Sequence, residues 1–361
     1  MQNLVNEAPA KKNYEFIDSI RAIAMISIVV EHCFSFDEST YHPTDKLSIF
    51  TFVSVIQFIK FGTIAFFLLS GFLIGEKFTT YTPYQYLKRR VDNTIAPWVF
   101  WSLFFLAMKV LNDAVIAYKF NSGVFQPHFG LTVLDYAKNI YLYTSYWFIP
   151  NFLICIGILL IFKRWLYSYW LGGILFLFTI VYMFNIYNEW IEPRHSTAIF
   201  GFVFFLWLGA QFNRHLSTLE NWVDKTSIWL WIALSAVTLV SGIWEIQHLK
   251  TLHSVDPYNT LRLSNILYSL CFFFLLIKIK NFGFAKYLKS RETTYGIYLI
   301  HYILVAMLLP IIFVSLRFDI NPLSYGEVWL YMLTRLVIVY SLTFIIVTLL
   351  NKTKAKVLIG R

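Results

Sequence analysis

The segment FIDSIRAIAMISIVVEHCF, residues 16–34, decides how the rest of the chain is read. It has the length and apolar character of a membrane helix, which needs about 20 residues to cross a bilayer. Yet it carries Asp18, Arg21, Glu31 and His32. Ionisable groups at membrane depth are costly and persist mainly where they face a protein interior or a wet cavity. Arg21 and His32 are eleven positions apart, which is three helical turns plus about 20°, or roughly 16 Å along the axis. Asp18, Arg21, Met25, Ile28 and His32 follow 3-4-3-4 spacing and so share one face. A polar stripe inside a spanning helix has the pattern of a site.

Composition places this helix in a membrane protein. The chain has 361 residues, 58% hydrophobic and 20% aromatic, with 14% charged and a mean hydropathy of +0.60. A soluble domain carries about 25% charge. The expected fold is therefore an all-α, polytopic helix bundle. The net charge of +10 does not point to nucleic acid, because no basic cluster is interleaved with aromatics on a soluble module. Cys33, Cys155 and Cys271 are scattered in or beside apolar runs, with no CxxC pair, so neither a metal site nor a disulfide framework is expected. The polar first fifteen residues and the absence of a small-residue cleavage motif after the first helix argue against a cleavable signal peptide.

Hydropathy predicts about ten spans, over residues 16–34, 63–75, 94–117, 147–162, 171–187, 198–212, 228–246, 264–277, 295–314 and 328–350. The apolar block 48–75 is too long for one plain span and is split at Lys60-Phe61-Gly62, with its first part at the interface. Residues 118–145 form a long polar and aromatic connection. With the N-terminus inside, the dense basic runs (Lys88 to Arg90, Lys278 to Arg291, and the tail) all fall on the inner side, which favours two cytoplasmic termini. The expected division is a leader over 1–15, one membrane domain over 16–350, and a basic cytoplasmic tail over 351–361.

The chemistry-bearing residues each have a plain reading beside the functional one. Arg21 can snorkel to headgroups, or grip an anionic group such as a phosphate with its planar fork. His32 can be a satisfied polar group, or a general base that takes a hydroxyl proton near neutral pH. Lys88, Arg89 and Arg90 anchor a loop to anionic lipid, or clamp the phosphates of a nucleotide-bearing donor. Ser70 and Gly71, in FFLLSGFLIG, read as close-packing residues. Trp147, in YWFIPN, suits an interfacial belt, and Asn151 beside Pro150 can face a cavity. In YGIYLIH, Tyr298 and His301 belong to a tyrosine-rich polar pocket. Arg335, deep in the last span, calls for a carboxylate or ligand partner.

Taken together, Arg21-x10-His32, FFLLSGFLIG, KRRVDNTIAPW, YWFIPN and YGIYLIH, in this order over nearly the whole chain, resemble the acyltransferase-3 family of bacterial membrane O-acyltransferases. The resemblance implies transfer of an acyl group, usually acetyl, from cytoplasmic acyl-CoA to a carbohydrate hydroxyl at or beyond the outer face of the inner membrane. It matches Arg21 and His32 to the family's essential pair, and Arg89 or Arg90 to its basic loop. Many members carry an SGNH hydrolase-like domain after the membrane part; this sequence resembles the stand-alone type. SRETTYGIYLIH departs from the family in having Thr and Gly where a Ser-Tyr pair is more usual. Expected partners are acyl-CoA, a glycan or lipid-linked sugar acceptor, the bilayer and polysaccharide-synthesis proteins, with no tightly bound cofactor. The competing readings are a flippase of a lipid-linked saccharide, disfavoured by the lack of an internal repeat, and a scaffold in a synthesis complex.

Overall fold

Without water to satisfy them, backbone groups in a bilayer must bond within their own segment, so long apolar runs become helices. The computed structural model describes residues 14–35, 41, 43, 45–77, 81–120, 129–315 and 319–361, and among these it is helical with no strand. In chain order the helices are α1 (Glu15–Phe34), α2 (Lys46–Ile59), α3 (Gly62–Lys77), α4 (Pro83–Arg90), α5 (Ala96–Phe120), α6 (Phe129–Tyr143), α7 (Phe148–Ile161), α8 (Tyr169–Asn188), α9 (Val203–Arg214), α10 (Leu216–Lys225), α11 (Ile228–Thr251), α12 (Leu263–Ile279), α13 (Ser290–Ile303), α14 (Leu309–Ser315) and α15 (Tyr325–Asn351).

Helix α1 is the hub. It packs against α3, α13 and α15, and also touches α2 and α12. Its apolar face (Ile20, Ala24, Val29 and Cys33) is fully buried, which leaves the polar stripe to line whatever space the neighbours enclose. The tightest neighbours are α3 and α9. A Cβ added to Gly71 would overlap the carbonyl oxygen of Leu206, and one added to Gly209 would overlap that of Leu68. Two backbones in contact need small residues at the crossing, and both helices supply a glycine there.

Every predicted apolar segment is helical, but the number of helices long and apolar enough to cross is smaller than ten. Among the described residues six qualify by length and composition: Lys46–Lys77, Pro83–Lys119, Tyr169–Asn188, Ile228–Thr251, Ser290–Phe313 and Tyr325–Asn351. A pair bent by 69°, Leu131–Tyr143 with Ser145–Ile161, raises this to seven. Helix α9 has 12 residues and thus reaches about 18 Å, short of a hydrocarbon core of about 30 Å.

Several boundaries also move. The connection 118–145 contains a helix, α6, where the sequence reading expected a polar and aromatic connection. The span expected over 198–212 starts at Val203, because residues 198–202 are turns. The span expected over 295–314 begins at Ser290, and a wide turn, Leu304–Leu308, divides it between α13 and α14. Most of the leader lies outside the described residues. The tail is no free arm: a 3₁₀ segment, Lys354–Ile359, folds back so that Trp101 donates to the Leu358 carbonyl at 2.8 Å. Gly360 then takes φ +76° beside Tyr295, a left-handed conformation glycine adopts at no steric cost.

Candidate functional site

The stripe of α1 forms one wall of a cavity of about 370 Å³, with Arg21, Met25, Ile28 and His32 following its length. At the Arg21 end the mouth collects Arg90, Arg291 and Arg361. Asp18 accepts from Arg21 Nη1 at 3.1 Å and from Arg291 Nε at 2.7 Å, tying two guanidiniums into one frame. Arg90 donates to the Tyr86 hydroxyl at 2.8 Å. Glu292, the carboxylate on this rim, is engaged with Arg361 at 3.4 Å. The mouth therefore carries a net positive field in a partly enclosed space, which favours a polyanionic group.

Toward His32 the walls turn aromatic and apolar, with Phe66, Trp147, Phe148, Ile149, Phe152 and Tyr298. Trp147 ends a 3₁₀ turn, Ser145–Trp147, which Thr144 caps. Two tyrosines lock that turn to α13. Tyr146 donates to the Leu299 carbonyl at 2.6 Å, and Tyr298 donates to the Ser145 carbonyl at 2.8 Å. These bonds hold a short irregular segment, and with it Trp147, at a fixed place beside His32.

A second cavity of about 280 Å³ begins on the other side of His32. Ile28, Thr63, Trp147 and His32 belong to both cavities. The second is lined further by Glu31, Tyr143, Arg194, His195, Asp256 and Thr260. Glu31 pairs with Lys60 at 2.5 Å, at the break between α2 and α3. Arg194 lies 3.7 Å over the Tyr143 ring, with its Nε making no hydrogen bond. His195, in the loop after α8, stacks on Trp147 at 5.1 Å. Its Nε2 lies 3.2 Å from the Thr260 backbone N–H, which donates to it. Burial, with the Lys60 ammonium next, pushes the His195 imidazole down to about 3. It is therefore neutral at physiological pH and its 3.7 Å approach to Asp256 is not an ion pair. Burial raises Asp256, against Lys60 and Asn259, which lower it.

Of the residues singled out in the sequence, Arg21, His32, Ser70, Arg90, Trp147 and Tyr298 line the first cavity. Asp18 stands behind its mouth as the partner of two arginines. Lys88 and Arg89 are exposed and are not among the lining residues; Arg89 bonds Tyr81 at 2.5 Å. Asn151 does not face the cavity: its amide donates to the His195 carbonyl at 3.3 Å and so braces the loop. Arg335 bonds the Tyr331 hydroxyl at 3.3 Å and lines neither cavity. His301 sits one layer back, its ring 5.3 Å from that of His32. Arg291, Arg361, Lys60, Arg194, His195 and Asp256 also line or brace the two cavities without having been site candidates, and Glu31 lines the second although only its charge had marked it. Glu31 adjoins His32 and was the legible one; the others lie in loops or at helix ends, where a lone charge carries no signal.

A helical bundle with several helices able to cross a bilayer, built around an internal cavity with a charged stripe, is a multi-pass membrane protein with an enzyme-like site. The family model described as an acyltransferase domain matches residues 14–352, nearly the whole chain. The chain belongs to the acyltransferase-3 family and is a membrane acyltransferase. Comparison with curated proteins and with solved structures finds no match.

Proposed function

We propose that the chain is an O-acyltransferase that moves an acyl group, acetyl by default, from cytoplasmic acyl-CoA to a hydroxyl of a cell-surface glycan, exopolysaccharide or lipid-linked sugar. The observation that carries this reading is the meeting of two cavities at His32, one with an arginine-rich mouth, the other with carboxylates, hydroxyl groups and a tyrosine ring. The arginine end suits the phosphates of CoA, with Arg21, Arg90 and Arg291 as point and fork donors. The aromatic walls suit the thioester. The far cavity suits a polyhydroxylated acceptor, with Glu31, Asp256 and Arg194 for its hydroxyls and Tyr143 for a ring face. The topology that goes with this reading is about ten membrane segments in a bacterial inner membrane, some of them shorter than a full span, with both termini cytoplasmic and residues 16–350 forming one domain.

In this reading His32 takes the proton of the acceptor hydroxyl as its oxygen attacks the thioester carbonyl. The C–O bond forms, the C–S bond breaks, and the proton passes to the departing CoA thiolate. General-base help of this kind contributes about 10²–10⁴-fold. The test uses the purified protein in proteoliposomes with radiolabelled acetyl-CoA and a mixed cell-envelope glycan fraction. Label moves to glycan in the wild type, and both Arg21→Ala and His32→Ala abolish transfer. Near-normal transfer by a properly inserted His32→Ala refutes the base role. Translocation of a lipid-linked sugar without release of CoA establishes the flippase reading instead.

A further inference from the structure

His301 lies in the last turn of α13, fully buried, and lines neither cavity. Its Nδ1 is 2.9 Å from the Ile297 carbonyl oxygen. A carbonyl only accepts, so Nδ1 carries a proton, and in the neutral ring Nε2 is then a lone-pair acceptor. That Nε2 is buried and has no hydrogen-bond partner. A buried acceptor without a donor is costly and calls for an explanation.

The neighbour that explains it is His32. The two ring centroids are 5.3 Å apart with planes inclined at 39°. Two imidazoles joined by one N–H···N bond of about 3 Å have centroids roughly 5 Å apart, so a modest rotation of the His32 ring completes the bond. Catalytic hydrogen bonds are often loose before substrate binds and tighten in the complex. Tyr302 meets the His32 ring edge-on at 5.0 Å and limits the directions in which it can turn.

We propose that His301 is a positioning residue for His32. Its Nε2 accepts the N–H of His32, which fixes the tautomer of His32 and leaves the other nitrogen bare toward the cavities. The chain Ile297 carbonyl, His301, His32 then orders the base before any substrate arrives, and supports the second N–H that His32 gains when it takes the hydroxyl proton. This inference rests on the acyltransferase reading for its kinetic consequence, but not for its geometry.

The experiment uses the full chain in nanodiscs with ¹⁵N-labelled histidine. An N–N coupling between the two rings, observed in the wild type with acetyl-CoA bound, is the direct signature. His301→Phe keeps the ring volume and removes the acceptor; kcat for acetyl transfer falls roughly 10–100-fold, the range for removing an orienting partner of a functional histidine, with KM for acetyl-CoA unchanged. His301→Asn, whose side-chain oxygen can accept the same N–H, recovers part of kcat. A wild-type spectrum with no coupling and a His32 tautomer indifferent to His301→Phe overturns the proposal, as does a kcat for His301→Phe within twofold of wild type. If the wild type shows the coupling but transfers no acetyl group, the positioning stands and the acyltransferase reading falls.

Discussion

Replacing Gly71 with alanine tests how the cavity is held open. Gly71 of α3 and Gly209 of α9 face each other's backbones, so no flexible side chain can move aside for a new methyl group. A Cβ at Gly71 would sit 2.8 Å from the carbonyl carbon of Leu206 and 3.0 Å from its Cα. Carbon atoms are at ease at about 3.5–4.0 Å, so the helices must part by roughly 1 Å. The seam that parts is dense: Leu68, Phe67, Phe205 and Leu206 are fully buried, and Phe67 stacks on Phe202 at 4.9 Å. Overpacking of a tight core costs about 1–3 kcal/mol, and a backbone-to-backbone clash belongs at the upper end. Such a loss lowers the apparent melting midpoint by roughly 5 °C or more. Ser70, the neighbour of Gly71 on the cavity wall, moves with its helix, and a 1 Å misplacement in a site can cost about 10²-fold in rate. The assay is thermal unfolding in detergent with a thiol-reactive dye, since Cys33 and Cys155 are buried and report their own exposure. Gly173→Ala in α8 is the control: its Cβ meets nothing within 4 Å, and alanine gains about 0.8–1.0 kcal/mol of helix propensity. A Gly71→Ala protein that melts with the wild type, while Gly173→Ala melts lower, refutes the packing argument.

Three further expectations follow from the site. Lys60→Met strands Glu31 beside the second cavity and costs about 3 kcal/mol; Glu31→Gln/Lys60→Met regains most of it, and a double variant no more stable than Lys60→Met contradicts the pairing. Arg90→Gln raises KM for acetyl-CoA by roughly 10-fold or more, from loss of a charge-assisted bond worth about 1.5–3 kcal/mol, whereas the exposed Lys88→Gln changes it less than twofold; equal effects would show that the loop acts by charge alone. Finally, His195 stays neutral as the pH falls from 8 to 5, because its folded value lies near 3; a protonated His195 signal in the ¹⁵N spectrum at pH 5.5 would contradict its burial.

The sequence disclosed the stripe of α1 because charge inside an apolar run is conspicuous and helical spacing turns it into a face. It also disclosed the break at Lys60 to Gly62, where glycine follows a lone lysine. It could not disclose which helices cross. Residues 198–212 are as apolar as a span, yet α9 is short and buried against α3, and hydropathy does not distinguish lipid from protein as the apolar surroundings. Nor could it assign directions to side chains at loop and helix ends. Arg89 and Arg90 are adjacent, and only the turn of α4 decides that one meets solvent and the other the cavity. His195 had no neighbour in sequence to mark it, since its partners Thr260 and Asp256 come more than sixty residues later.

Ile28, His32, Thr63 and Trp147 line both cavities and stand where the two meet. In a membrane that holds a voltage, a partition at that place is also an insulator. One elementary charge crossing 100 mV releases about 2.3 kcal/mol, so ions and hydrated protons are driven through any opening left in it. The stacking of Trp147 on His195, and the tyrosine bonds that fix its turn, therefore have a second duty besides orienting a reaction. In the acyltransferase proposed above, they would keep the bilayer sealed while the acyl group is handed from one cavity to the other.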